Sequence, residues 1–162
     1  MKKNFSKAIE FALNWETGFG KIPYSNNHKD PGGETKWGIS KRAFPYLDIK
    51  NLTKQQAIDI YKTKYWDEMD CDNLPDYIDV VAFDIAVNQG PGIAKRILSK
   101  LKDYSKYIAP NEKLGALFCI VESLDIYDDL GTFNTFGRGW CRRRVSMAKY
   151  IISDFSIMTY DD

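Results

Sequence analysis

The fold is decided by "FSKAIEFALNWETGFGKIPYSNNHKDPGGETKWGIS", Phe5 to Ser40. Phe5, Ala8, Ile9, Ala12 and Leu13 recur at the spacing of one helical face, so the stretch opens with a helix that buries one side. Asn4 stands where an N-cap is expected. Gly18 and Gly20 stop the helix. Residues 17–40 then carry five glycines and two prolines. This predicts a long turn-rich excursion, with a small hairpin around "ETKWGIS". An excursion of that length within a domain usually carries function.

Further along, Thr53 and Gln56 have the spacing of a capping box, opening a helix with Ala57, Ile58, Tyr61, Tyr65 and Trp66. "DNLPD" breaks the chain. In "YIDVVAFDIAVNQGPG", Ile78, Val81, Ala82 and Ile85 make one stripe and Val80, Phe83 and Val87 another. A helix apolar on most sides is a central one. Pro91 suits the first turn of the next helix, whose face is Ile93, Ala94, Ile97, Leu98 and Leu101. Two more helices are expected, near 111–124 and 137–153. The reading is mainly α, with one irregular lobe inserted early. Residues 1–94 are expected to form the catalytic region, and residues 95–162 a helical C-terminal region that completes the lobe.

A chain of 162 residues with 44% hydrophobic and 28% charged side chains has the composition of one globular domain. Lys and Arg number 23 against 22 Asp and Glu, so no long-range field points to nucleic acid. Arg138, Arg142, Arg143 and Arg144 cluster in "GRGWCRRRV". With a near-neutral net charge they read as a solvated or salt-bridged face, although a DNA-binding face remains the rival reading. Cys71, Cys119 and Cys141 are odd in number and widely spaced, so they read as reduced thiols. The apolar start "MKKNFSKAIEFAL" is interrupted by Ser6, Lys7 and Glu10, so it is not a signal peptide, and no run is long enough to span a membrane. Synthesis in the cytoplasm is expected. His28 is the single histidine, which excludes zinc sites built on several histidines. No metal or cofactor is implied.

Glu16 continues the apolar stripe, three turns beyond Phe5. It also sits at the C-terminal end of the helix, where the dipole disfavours negative charge. Partial burial and the dipole both favour the neutral carboxyl that a general acid needs. The plain alternative is a frayed last turn that points Glu16 at water. Asn88 repeats the pattern at the end of the 78–85 stripe, where a buried amide needs hydrogen-bond partners; the alternative is an ordinary helix terminator. Two polar breaks at two helix ends suit the lining of one cleft.

These residues also resemble a known family. "ETGFG…DPGGETKWGIS" is similar to the pattern of glycoside hydrolase family 108, roughly E-G-G-Y followed by D-P-G-G-x-T-x-x-G-I. "NLTKQQAIDIYKTKYWD" and "FDIAVNQGP" resemble two later blocks, in order, so the likeness runs from Phe5 to about Ala94. The resemblance implies a lysozyme-like fold and an N-acetylmuramidase, as in phage endolysins and bacterial relatives that assist secretion or toxin release. It implies that Glu16 is the catalytic glutamate. The chain departs from the pattern at Thr17, where the family has glycine, and at Phe19, where it has tyrosine. "GRGWCRRRV" resembles the end of the family's peptidoglycan-binding region, whereas Lys95 to Gly137 does not match its usual motif.

The implied substrate is the peptidoglycan glycan strand, cleaved by a monomer that a separate holin or export partner delivers. Asp30 either steadies the oxocarbenium-like transition state and orients water, or simply shapes the "DPGG" turn. Thr35 can position a water. Tyr24 and Trp37 can flank sugar rings, whereas Trp66 reads as core. The competing functions are a noncatalytic peptidoglycan-binding protein on the same fold and a lytic transglycosylase.

Overall fold

In the computed structural model, the described residues are 4–21, 24–26, 33–108, 111–128 and 131–156. The architecture is mainly α and lysozyme-like, with a three-stranded antiparallel sheet after the first helix. Two compact units divide the chain: Ile9–Lys64, and Met1–Ala8 together with Tyr65–Asp162. Among the described residues no helix is long and apolar enough to cross a membrane.

In the first of these units, helix α1 (Phe5–Glu16, its first turn belonging to the other unit) buries Ile9, Phe11, Ala12 and Leu13. It ends in a Schellman motif. Phe19 N–H donates to the Asn14 carbonyl at 2.6 Å, Gly18 N–H donates to that of Trp15, and Gly18 is left-handed at φ 56°. Strands β1 (Tyr24–Asn26), β2 (Glu34–Lys36) and β3 (Ile39–Ser40) follow. The register pairs Ser25 with Thr35 and Thr35 with Ser40, while Lys36 pairs with both Tyr24 and Ile39. The hairpin expected around "ETKWGIS" is therefore present, and β1 adds a third strand. Helix α2 (Lys54–Tyr61) opens with the expected capping box: Gln56 N–H donates to Thr53 Oγ1, and Thr53 N–H donates to Gln56 Oε1 at 2.9 Å. A π-helical turn, Lys62–Trp66, continues it across the boundary between the units.

The helical unit is built around α3 (Ile78–Gln89), buried at every residue from Ile78 to Ala86. Such a helix needs neighbours on all sides. It packs against α4 (Pro91–Asp103) and α6 (Glu112–Asp128), and α6 packs against α7 (Phe133–Ile152). A short helix, α5 (Ser105–Ile108), lies between α4 and α6 in the chain. Pro91 opens α4 as expected. Trp66 is fully buried, edge-on to Phe5 and Phe83, with its indole N–H on Asp72. The core reading of Trp66 holds. Asn4 is no side-chain cap: its Nδ2 donates to Asp79 at 3.0 Å and to Asp76, and its Oδ1 has no partner among the described residues.

The arginines of "GRGWCRRRV" divide. Arg143 reaches Asp84 through two nitrogens, at 2.7 and 3.0 Å, and Arg144 holds the other Asp84 oxygen. All three side chains are buried. Burial by itself would raise the Asp84 carboxyl, but the two guanidinium groups outweigh it and hold the carboxyl below its ordinary value. Two of the three arginines in Arg142–Arg144 are thus consumed inside the unit, which removes the basis for a DNA-binding face. No two cysteines are bonded to each other. Burial pushes the Cys119 thiol up to about 12 and raises that of Cys71 further.

Candidate active site

Glu16 is the last residue of α1 and is half-buried. The helix end beneath it is held twice. The backbone closes the Schellman motif, and Thr17, 4% exposed, adds a side-chain clamp. Its hydroxyl donates to the Leu13 carbonyl at 2.7 Å and accepts from Gly20 N–H at 3.0 Å. A glycine at 17 has no group to make these bonds, so the departure from the family pattern brings its own anchor. Phe19, the second departure, is left-handed at φ 58° and sets its ring edge-on to Trp15 at 5.7 Å.

The β2–β3 turn lies against Glu16. Trp37 and Gly38 are its two central residues, with φ of 53° and 79°. Positive φ at both positions defines a type I′ turn. A Cβ on residue 38 would stand 2.8 Å from Glu16 Cβ and 2.9 Å from its Cγ, and closer still to the Tyr61 hydroxyl. Glycine is therefore required twice at this position, by dihedral and by space. Tyr61, 2% exposed on α2, donates its hydroxyl to the Trp37 carbonyl at 3.1 Å. Trp37 is half-buried, and its indole N–H is buried with no partner among the described residues.

The structure thus brings Glu16 together with the Trp37–Gly38 turn and Tyr61. Thr35 precedes the turn on β2 and shares a sheet face with Ser25 and Ser40, in a row of three hydroxyls. Tyr24 lies on the opposite face, and its hydroxyl donates to Glu34 at 3.0 Å; that carboxylate pushes the phenol up. Asp30 and His28 lie outside the described residues. Asn88 belongs to the helical unit. Its amide oxygen accepts from Tyr127 and, at 3.1 Å, from Arg144, as a partly buried amide requires. The residues that sequence reasoning missed are Gly38 and Tyr61. "KWGI", a glycine inside an alternating run, was the available signal for the turn. Tyr61 had none beyond its place in the apolar stripe.

The helical unit also holds a cavity of about 800 Å³ among Met69, Leu74, Ile78, Leu98 and Leu101. Its walls are mostly apolar and none of the candidate residues lines it. Among the described residues no three His, Cys, Asp or Glu side chains gather to hold a metal.

The family model for glycosyl hydrolase 108 matches residues 9–90, which contain Glu16, the sheet and α3. The chain belongs to this glycosyl hydrolase family. Among solved structures it is similar to that described as the structure of Brucella abortus SagA, with 27% identity and a TM-score of 0.78 over 97% of this chain and 98% of that one. No curated protein matches the sequence. The departures at Thr17 and Phe19 fall within the matched span, so family membership accommodates both.

Proposed function

We propose that this glycosyl hydrolase is an N-acetylmuramidase, cleaving the β-1,4 bond between N-acetylmuramic acid and N-acetylglucosamine in peptidoglycan. The observation that carries the reading is the seat of Glu16: one carboxyl side chain, on a doubly capped helix end, against a turn that only glycine fits.

In this reaction Glu16 gives its proton to the glycosidic oxygen as the bond from that oxygen to C1 breaks. The leaving sugar departs with a free hydroxyl. Water adds to C1 of the oxocarbenium-like centre and releases a proton to a carboxylate. Asp30 is the carboxylate proposed to steady that centre or to orient the water, and Thr35 supplies a hydroxyl to hold the same water. Trp37 and Tyr24 offer flat faces to sugar rings. On the helical unit Asn88 offers its amide N–H groups, since its oxygen is already taken. The enzyme acts on the wall as a monomer, reached from the cytoplasm through a separate holin or export partner.

Mass spectrometry of the products from digested peptidoglycan tests the proposal. Reducing-end muramic acid is the expected product. Anhydromuramic ends would make the protein a lytic transglycosylase. Intact strands with bound protein would make it a noncatalytic wall-binding protein, and freed peptides would end the glycosidase reading.

A further inference from the structure

The Trp37–Gly38 turn is costly in its own right. Type I′ turns favour Asn, Asp or Gly at the first central position, yet here a tryptophan is held at φ 53°. A bulky residue in the left-handed region persists only where its surroundings over-determine it. The Tyr61 hydroxyl, which donates to the Trp37 carbonyl at 3.1 Å, supplies part of that constraint. The same hydroxyl crowds the vacant Cβ position of Gly38, as do Cβ and Cγ of Glu16. One phenol oxygen therefore meets both the strained turn and the small space into which the stem of Glu16 fits.

We infer that Tyr61 is a positioning residue for glycoside cleavage: its hydroxyl locks the Trp37–Gly38 turn against Glu16 and so fixes the direction of the acid. The inference rests on the reading of Glu16 as the proton donor. Tyr61 touches neither sugar nor scissile bond in this role. It acts through the turn, which walls Glu16 on the side where any residue but glycine would collide with it. The acid must present its proton along the leaving oxygen's lone pair, and a small misplacement of a catalytic group costs heavily in rate. The indole N–H of Trp37, buried and without a partner among the described residues, adds nothing to the turn's own stability there.

The test uses the full chain and four forms: wild type, Tyr61→Phe, Glu16→Gln and the double variant. Turnover, KM, the pH profile of kcat and the melting temperature are measured on solubilised peptidoglycan strands. Tyr61→Phe keeps the buried ring and removes one hydroxyl, so the protein is expected to fold. Its kcat is expected to fall by about 10- to 100-fold, with a displaced pH profile and a KM within about 3-fold of wild type. Adding Tyr61→Phe to Glu16→Gln is expected to change the residual rate by less than about 3-fold, because a residue that acts through the acid has nothing left to act on. Wild-type kcat and pH profile in Tyr61→Phe, with only a lower melting temperature, would overturn the positioning role while Glu16→Gln remains inactive. Independent, multiplicative losses in the double variant would overturn it too. Wild-type activity in Glu16→Gln would overturn the acid reading itself, and this inference with it.

Discussion

The unit Ile9–Lys64 and the helical unit are held in different ways. In the helical unit, α3 is buried from Ile78 to Ala86, and a charge network of Asp84, Arg143 and Arg144 lies inside the packing. In Ile9–Lys64 the parts around Glu16 are held by backbone devices: a Schellman motif, a type I′ turn, the Thr17 clamp and the Tyr61 bond to a carbonyl. Packing spreads its energy over many contacts, and each buried member, apolar or charged, is costly to lose through the cavity or the unpaired charge left behind. Turns and caps concentrate it in single atoms, which fix one side chain, here Glu16, closely and fail singly.

The largest effect expected is in the helical unit. Asp84→Asn leaves two buried guanidinium groups without their carboxylate, which should cost about 3–5 kcal/mol, read from denaturant midpoints. The pH dependence follows in sign. The folded state holds the Asp84 carboxyl below its unfolded value, so its contribution is full above the ordinary carboxylate range. It is lost as pH falls through the lowered folded value. Stability of the wild type should thus decline more steeply in acid than that of Asp84→Asn, and parallel acid unfolding curves would contradict the network's importance.

Next comes Glu16→Gln, which keeps the shape and removes the proton. Activity should drop at least ~100-fold, while the melting temperature stays near that of wild type. A fully lytic variant would remove the reason for the turn-built seat. Asp30→Asn should lower turnover by less than Glu16→Gln, Thr35→Ala should depart further from wild type than Thr35→Ser, and no sugar should be trapped covalently on Asp30. A glycosyl–Asp30 adduct would turn the water-orienting role into a nucleophilic one.

Smaller still is Thr17→Ala. It removes both bonds of the hydroxyl and should cost about 1 kcal/mol, measured by thermal unfolding. An unchanged midpoint would mean that the Schellman backbone alone secures the helix end. The smallest effect expected is none: with all three cysteines free, a reducing agent should leave activity and melting temperature unchanged.

Much of this was legible in order along the chain, because it depends on neighbours in sequence. The α1 stripe, the Thr53–Gln56 capping box, Pro91 at a helix start and the all-round apolar α3 each follow from local spacing. Helix ends were less legible: α6 and α7 run over Glu112–Asp128 and Phe133–Ile152, against expected spans of 111–124 and 137–153. Terminal turns are settled by caps and tertiary contacts rather than by periodicity. Asn4 shows the same limit. Its identity suits a cap, but the buried Asp79 and the half-buried Asp76 claim its amide.

By itself the sequence determined that an acidic side chain would close the first helix, that glycine-rich turns would follow it, and that a helix apolar on most sides would be central and buried. Periodicity and turn chemistry are local, and a single chain displays them. Only the tertiary structure decided that Gly38 must be glycine because Glu16 and Tyr61 fill the space of its Cβ. Only it decided that Thr17 replaces a family glycine with a clamp, and that two arginines face an aspartate instead of a solvated surface. Those outcomes depend on atoms far apart in the chain coming within a few ångströms, and steric exclusion and charge pairing at that range leave no period for a sequence to carry.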